Sequence, residues 1–222
     1  MDWTALWLSI KLALFTFTIL LPIGLLVGRW LAYGRFSGKG FVEAAFALPL
    51  VLPPTVVGFY LLVSVGGATT IGQLWKSVFG HNLVFSFEGL VLASVIVNLP
   101  FAIQPMQRAF EAIAPEIREA AAVSGLSPWQ VLLRIDLPLA WQGIVMGLVL
   151  TFAHTLGEFG VVLMIGGSIP GETKTVAIAI YDRVQAFDTQ NAGIMAAALL
   201  VMSLLALGLT YRLSSNVGRR HG

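Results

Sequence analysis

Ala114-Pro115-Glu116-Ile117-Arg118-Glu119-Ala120-Ala121-Ala122-Val123-Ser124-Gly125-Leu126-Ser127-Pro128-Trp129-Gln130 continues through Ile135 and Leu137 to Pro138. It reads as two short helices around a sharp turn. Pro115 suits a first helical position, Glu116 complements the positive helix end, and residues 117–124 are mostly strong helix formers. Gly125 can take the positive φ of a helix end. Ser127, Pro128 and Gln130 then supply a cap, a first-position proline and the return bond of a capping box. Pro138 is expected to stop the second helix, leaving Val131, Leu132 and Ile135 on one side of the platform. Such an amphipathic hairpin is a surface for lipid headgroups or for another protein.

The sequence on either side of it is nearly devoid of charge. Of 222 residues, 57% are apolar and only 11% charged, against about 25% charged in soluble domains. This composition excludes a soluble globule and fits an integral membrane protein. A crossing helix needs roughly 20 apolar residues, and apolar runs of that kind, with Lys11 near the start of the first and Glu158 in the fourth, place spans at 6–28, 44–65, 89–107, 139–165 and 189–211. Pro49, Pro53 and Pro54 are expected to bend or interrupt the second span. Pro100 and Pro105 lie in the third. The stretch around Gly66, Gly67 and Gly72 reads as external, and so does the partly helical 171–188 stretch. The whole chain, 1–222, reads as one all-α membrane domain.

Basic residues set the orientation. Arg29, Arg35, Lys39, Arg108, Arg118, Arg134, Arg212, Arg219 and Arg220 fall on one side of the five spans, nine of the 13 in the chain; Lys11, Lys76, Lys174 and Arg183 fall on the other. The side with nine is assigned to the cytoplasm, with the N-terminus outside and the C-terminus inside. Asp2 offsets Lys11 and the positive cluster follows the first apolar run, which argues against a cleaved signal peptide. The net charge of +2 gives no reason to expect a nucleic-acid partner. Absence of cysteine removes disulfides and thiolate chemistry, and the histidines are too scattered for a metal site.

Glu119-Ala120-Ala121, three residues, Gly125, nine residues, and Ile135 with Leu137-Pro138 resemble the EAA signature of the membrane subunits of ABC importers. The resemblance implies a type I importer permease core whose 114–138 segment forms coupling helices docked on a cytoplasmic ATPase. No phosphate-binding loop occurs here. The run Gly34-Arg35-Phe36-Ser37-Gly38-Lys39-Gly40 has the wrong spacing, so ATP and Mg²⁺ belong on the partner ATPase and this chain carries no cofactor.

Three more stretches resemble the molybdate and sulfate branch. Residues 46–59, with Pro53-Pro54-Thr55, are similar to the second-helix signature of molybdate permeases; Leu156-Gly157-Glu158-Phe159-Gly160 is similar to a motif shared with sulfate permeases; residues 169–175 resemble an external segment of the molybdate group. Molybdate is the implied substrate, with tungstate or sulfate and thiosulfate as alternatives. Where that family commonly has Arg, this chain has His154.

Glu158 is a carboxylate inside a proposed span and must face protein or a watery path. His154, four residues earlier, shares its helical face and could share a proton or hydrogen bond. Counted from Leu139 at the standard rise, Glu158 lies about 29 Å along its helix, near the outer boundary. A gate and a packing contact are both open readings. Pro53, Pro54 and Thr55 are candidate pore elements, their alternative being a packing kink.

No cation lies deep in a span, so selectivity is expected from a separate external oxyanion-binding protein; Lys76, Lys174 and Arg183 are its candidate contacts. Gly24 with Gly28 and Gly143 with Gly147 have the spacing of close helix contacts and suggest assembly. Five helices enclose little pore, so a two-fold homodimer with two ATPase subunits is expected. An ion-coupled carrier would need paired intramembrane charges and repeats, and an intramembrane enzyme a second catalytic group; neither pattern is present in the sequence.

Overall fold

The fold is built around one helix, α5 (Phe87–Glu111), which begins at a Ser86 cap whose hydroxyl accepts from Gly89 N at 3.2 Å. The computed structural model describes residues 1–218; Arg219 and Arg220 of the basic tail lie outside the described residues. α1 (Trp3–Tyr33), capped by Asp2, packs on one face of α5. Gly24 sits against Ala102 and Met106, and Gly28 against Ile103 and the Gln107 backbone. The Leu137–Gly157 helix, α8, packs on another face, with Gly143 against Pro105 and Ala109 and Gly147 against Ala102. The small-residue pairs thus serve packing within the chain, letting two long helices approach α5 closely.

α2 (Lys39–Val51) and α3 (Pro54–Val65) meet at 109°. The tandem prolines explain the break. A residue before proline is driven out of the helical region, and both Leu52 (ψ 139°) and Pro53 (ψ 136°) precede one. Pro49 stays within α2. α4 (Thr70–Phe79) is a short helix in the stretch read as a glycine-rich external segment.

The hairpin consists of α6 (Pro115–Val123) and α7 (Pro128–Val131). Pro138 does not stop the second helix. Leu132–Asp136 forms a π turn, with Leu137 N donating to Leu132 O, and the helix runs on from Pro128 to Gly157. The wider turn accommodates the missing proline N–H without a break. The expected 139–165 span is instead interrupted: Glu158 is extended (ψ 127°), and α9 (Gly160–Gly166) follows at a new start.

α10 (Val176–Gln185) is external to the long helices in sequence and packs with α1 and α11 (Thr189–Gly218) around Ala5, Leu6, Ala179 and Met195. α1, α5, the Pro128–Gly157 rod and α11 are each long and apolar enough to cross a membrane, and the bent α2–α3 pair can make a fifth span. No strand occurs among the described residues.

Candidate functional site

The two helix breaks meet. A Cβ on Gly160 would lie 2.8 Å from Pro54 Cβ, and one on Gly58 would lie 2.7 Å from Met164 Cβ, so α3 and α9 touch where only glycine fits. Beside the seam is a cavity of about 170 Å³ whose wall includes Pro54, Val97, Phe101, His154 and Glu158. The sequence candidates Pro54, His154 and Glu158 are brought together here. Pro53 and Thr55 flank Pro54 and are exposed.

Glu158 is 6% exposed and accepts a 3.1 Å hydrogen bond from Val161 N, so it caps the start of α9. It shares the cavity wall with Val97 and Phe101 of α5.

His154 binds elsewhere first. Asn98 donates through Nδ2 to Ser94 O at 2.8 Å, which turns its Oδ1 toward His154 Nδ1 at 3.1 Å and makes that nitrogen the donor. The imidazole stacks on Phe101 with centroids 4.1 Å apart. Its Nε2 then stands 3.9 Å from Glu158 Oε2, a charge contact at most and too long for the shared hydrogen bond expected from the sequence. The helix ends between the two residues, so they no longer follow ideal spacing.

The hairpin carries its local signals out. Gly125 has φ +73°, and both capping-box bonds form, Gln130 N to Ser127 Oγ at 3.3 Å and Ser127 N to Gln130 Oε1 at 2.8 Å. Glu119, Ala120, Gly125 and Pro138 are exposed, whereas Ala121 is buried and Ile135 and Leu137 are half-buried. Val131, Leu132 and Ile135 turn toward the body of the protein. The apolar surface left open is made by Ile117, Val123, Trp129 and Leu133.

One polar cluster was missed in the sequence. Asp136, with no side-chain exposure, accepts from Arg29 Nε at 2.7 Å across 107 residues and lies 3.6 Å from Arg118 Nε on α6. The Arg118 guanidinium lies 3.4 Å over the Tyr33 ring, and Tyr33 donates to Phe110 O at 2.9 Å. The available signal was a lone acid between Ile135 and Leu137, in a run with no other acid from 120 to 157.

Two of the three cations expected to meet a binding protein are engaged within the chain. Lys174 Nζ is 2.6 Å from Asp182, and Arg183 is 2.7 Å from Asp188. Hydrogen bonds from Asn191, with the Arg183 charge beside it, hold the Asp188 carboxyl below its ordinary range. Lys76 is exposed in the last turn of α4. No group of three potential metal ligands occurs among the described residues.

Residues 21–220 match the family described as "Binding-protein-dependent transport system inner membrane component". The molybdenum transport system permease protein ModB of Azotobacter vinelandii is 46% identical over 95% of this chain and 93% of its own length. ModB of Escherichia coli K12 is 36% identical over 92% and 91%. The sulfate transport system permease protein CysT of the same bacterium is 35% identical over 89% of this chain and 71% of its own. In structure, the chain resembles a bacterial alginate ABC transporter solved with an alginate-bound periplasmic protein, at TM-score 0.76 and 17% identity, covering 96% of this chain and 78% of that one. It also resembles the MetNI methionine ABC transporter in inward-facing conformations, at TM-score 0.70 and 17% identity over 97% and 94%. These two likenesses concern the fold, that of type I ABC importer permeases. The chain is a multi-pass membrane protein of the binding-protein-dependent transport system inner membrane component family.

Proposed function

We propose that this chain is the permease subunit of an ATP-driven importer that brings molybdate into the cytoplasm. The observation that carries the proposal is the exposed hairpin, with Glu119, Ala120 and Gly125 at its surface beside an open apolar patch of Ile117, Val123, Trp129 and Leu133. A membrane protein that presents such a surface on its basic side is built to hold a soluble partner. The partner is a separate ATPase supplying ATP and Mg²⁺, two copies serving a homodimer of this chain. The basic side is cytoplasmic, the N-terminus external, and an external oxyanion-binding protein delivers the substrate. Lys76 is the candidate contact with that protein least committed within the chain; Lys174 and Arg183 would contribute through their paired faces.

The gate is the α3–α9 seam. Pro53, Pro54 and Thr55 on one side and Glu158 on the other mark two helix breaks whose separation would open a path, because neither break is held by a continuous backbone ladder. Glu158 repels a dianion and so is not its ligand; together with His154 it holds the seam's shape. A site that grips the anion weakly is what conduction requires.

The test is co-purification with the cognate ATPase. The intact protein is expected to retain it, and Glu119→Lys, at an exposed position, to release it while melting normally. Full retention and coupling in that variant would overturn the docking assignment. The relatedness to a sulfate permease supports a second substrate, so uptake of molybdate, tungstate and sulfate is compared; preference for sulfate would reverse the substrate and leave the importer standing.

A further inference from the structure

We propose that Arg118 and Asp136 are positioning residues that pass movement of the α6 hairpin helix to α1, a role that rests on the reading of α6 as the ATPase-docking helix. Among the described side chains of α6, all but Arg118 and Ala121 are exposed. Arg118 is thus the polar tether between that helix and the rest of the protein. It reaches three elements at once: the Asp136 carboxylate at the end of the π turn, the Tyr33 ring near the end of α1, and through Tyr33 the end of α5 at Phe110.

The tether is half made. Asp136 is held firmly by Arg29 through Oδ2, while its Oδ1 and Arg118 Nε stand 3.6 Å apart and neither makes a hydrogen bond. A buried carboxylate with one satisfied and one unsatisfied oxygen has reason to draw a second donor closer. Beside Arg118 is a cleft of about 630 Å³ lined by Arg35, Lys39, Glu111 and Glu119 as well, so the guanidinium has room to shift and acids to shift toward. Arg29 keeps Asp136 neutralised throughout. The π turn places Asp136 at the root of α8, and such turns are often found at functional positions. Motion of α6 therefore changes the Arg118 to Asp136 contact while the Arg29 bond carries the pull to α1.

The experiment uses the full complex with its ATPase and binding protein in proteoliposomes, reading labelled molybdate taken up per ATP hydrolysed. Arg118→Gln is expected to keep the ATPase bound and still hydrolyse ATP, with uptake per ATP down about tenfold, within the range of a site-to-site coupling. Arg118→Lys restores the charge and is expected to recover much of the ratio. A purely structural tether would lower uptake and hydrolysis together and leave their ratio unmoved, and that result overturns the proposal, as does an unchanged ratio in a well-assembled Arg118→Gln. If that variant does not assemble, Tyr33→Leu, which removes the ring under the guanidinium and keeps both charges, is read in the same way. An intact protein that neither binds the ATPase nor spends ATP on uptake would instead remove the importer reading itself.

Discussion

Asp136 is the residue whose environment asks most of its neighbours. A carboxylate without exposure is stable only with a partner, and the 2.7 Å Arg29 contact supplies it. Removing one member of a buried pair typically costs about 3 to 5 kcal/mol, because the other charge is left uncompensated. Arg29→Ala is therefore expected to lower the melting temperature in detergent markedly, and Arg29→Ala with Asp136→Leu to recover most of the loss. Equal melting of the single and double variants would contradict this. Glu158→Gln makes the opposite kind of test. The amide oxygen can still accept from Val161 N, so folding is expected to persist while uptake changes; unchanged uptake would remove Glu158 from the gate.

At the scale of elements, the local signals were legible where their partners are close in sequence. Pro53-Pro54 gave the α2–α3 bend, Gly125 the turn, and Ser127 with Gln130 the capping box, because each acts over a few residues. The end of α8 beside Glu158 carries no proline; its local marks are Gly157, Gly160 and the Glu158 bond to Val161 N, while the packing of α3 against Gly160 is visible only in the fold. The glycine pairs Gly24 with Gly28 and Gly143 with Gly147 were visible as close-contact faces, yet nothing local says that α5 of the same chain covers them. Arg29 and Asp136, 107 residues apart, are likewise joined only by the tertiary fold. Two predictions belong here. Ser127→Ala should cost about 1 kcal/mol of hairpin stability, read as faster hydrogen exchange over 127–131. Gly160→Leu must push Pro54 away, and overpacking of this kind costs about 1 to 3 kcal/mol; uptake should fall while ATPase binding holds. Normal uptake in that variant would mean the seam does not lie on the path.

At the scale of the whole molecule, sparse charge and its placement organise the account. Four long apolar helices and one bent pair form the part suited to lipid, and the hairpin with its exposed Glu119 and Trp129 projects a surface suited to a protein. The chemistry that drives transport is assigned to another subunit, and selection of the anion to a third. The substrate was legible only as a resemblance, since no cation lines the cavity at the seam, whose charged groups are Glu158 and, when protonated, His154. The most direct measurement is accumulation of labelled molybdate in proteoliposomes holding this chain, its ATPase and its binding protein. Accumulation that requires all three and ATP, and that an imposed proton or sodium gradient cannot replace, is the predicted result; gradient-driven accumulation without ATPase or ATP would contradict it.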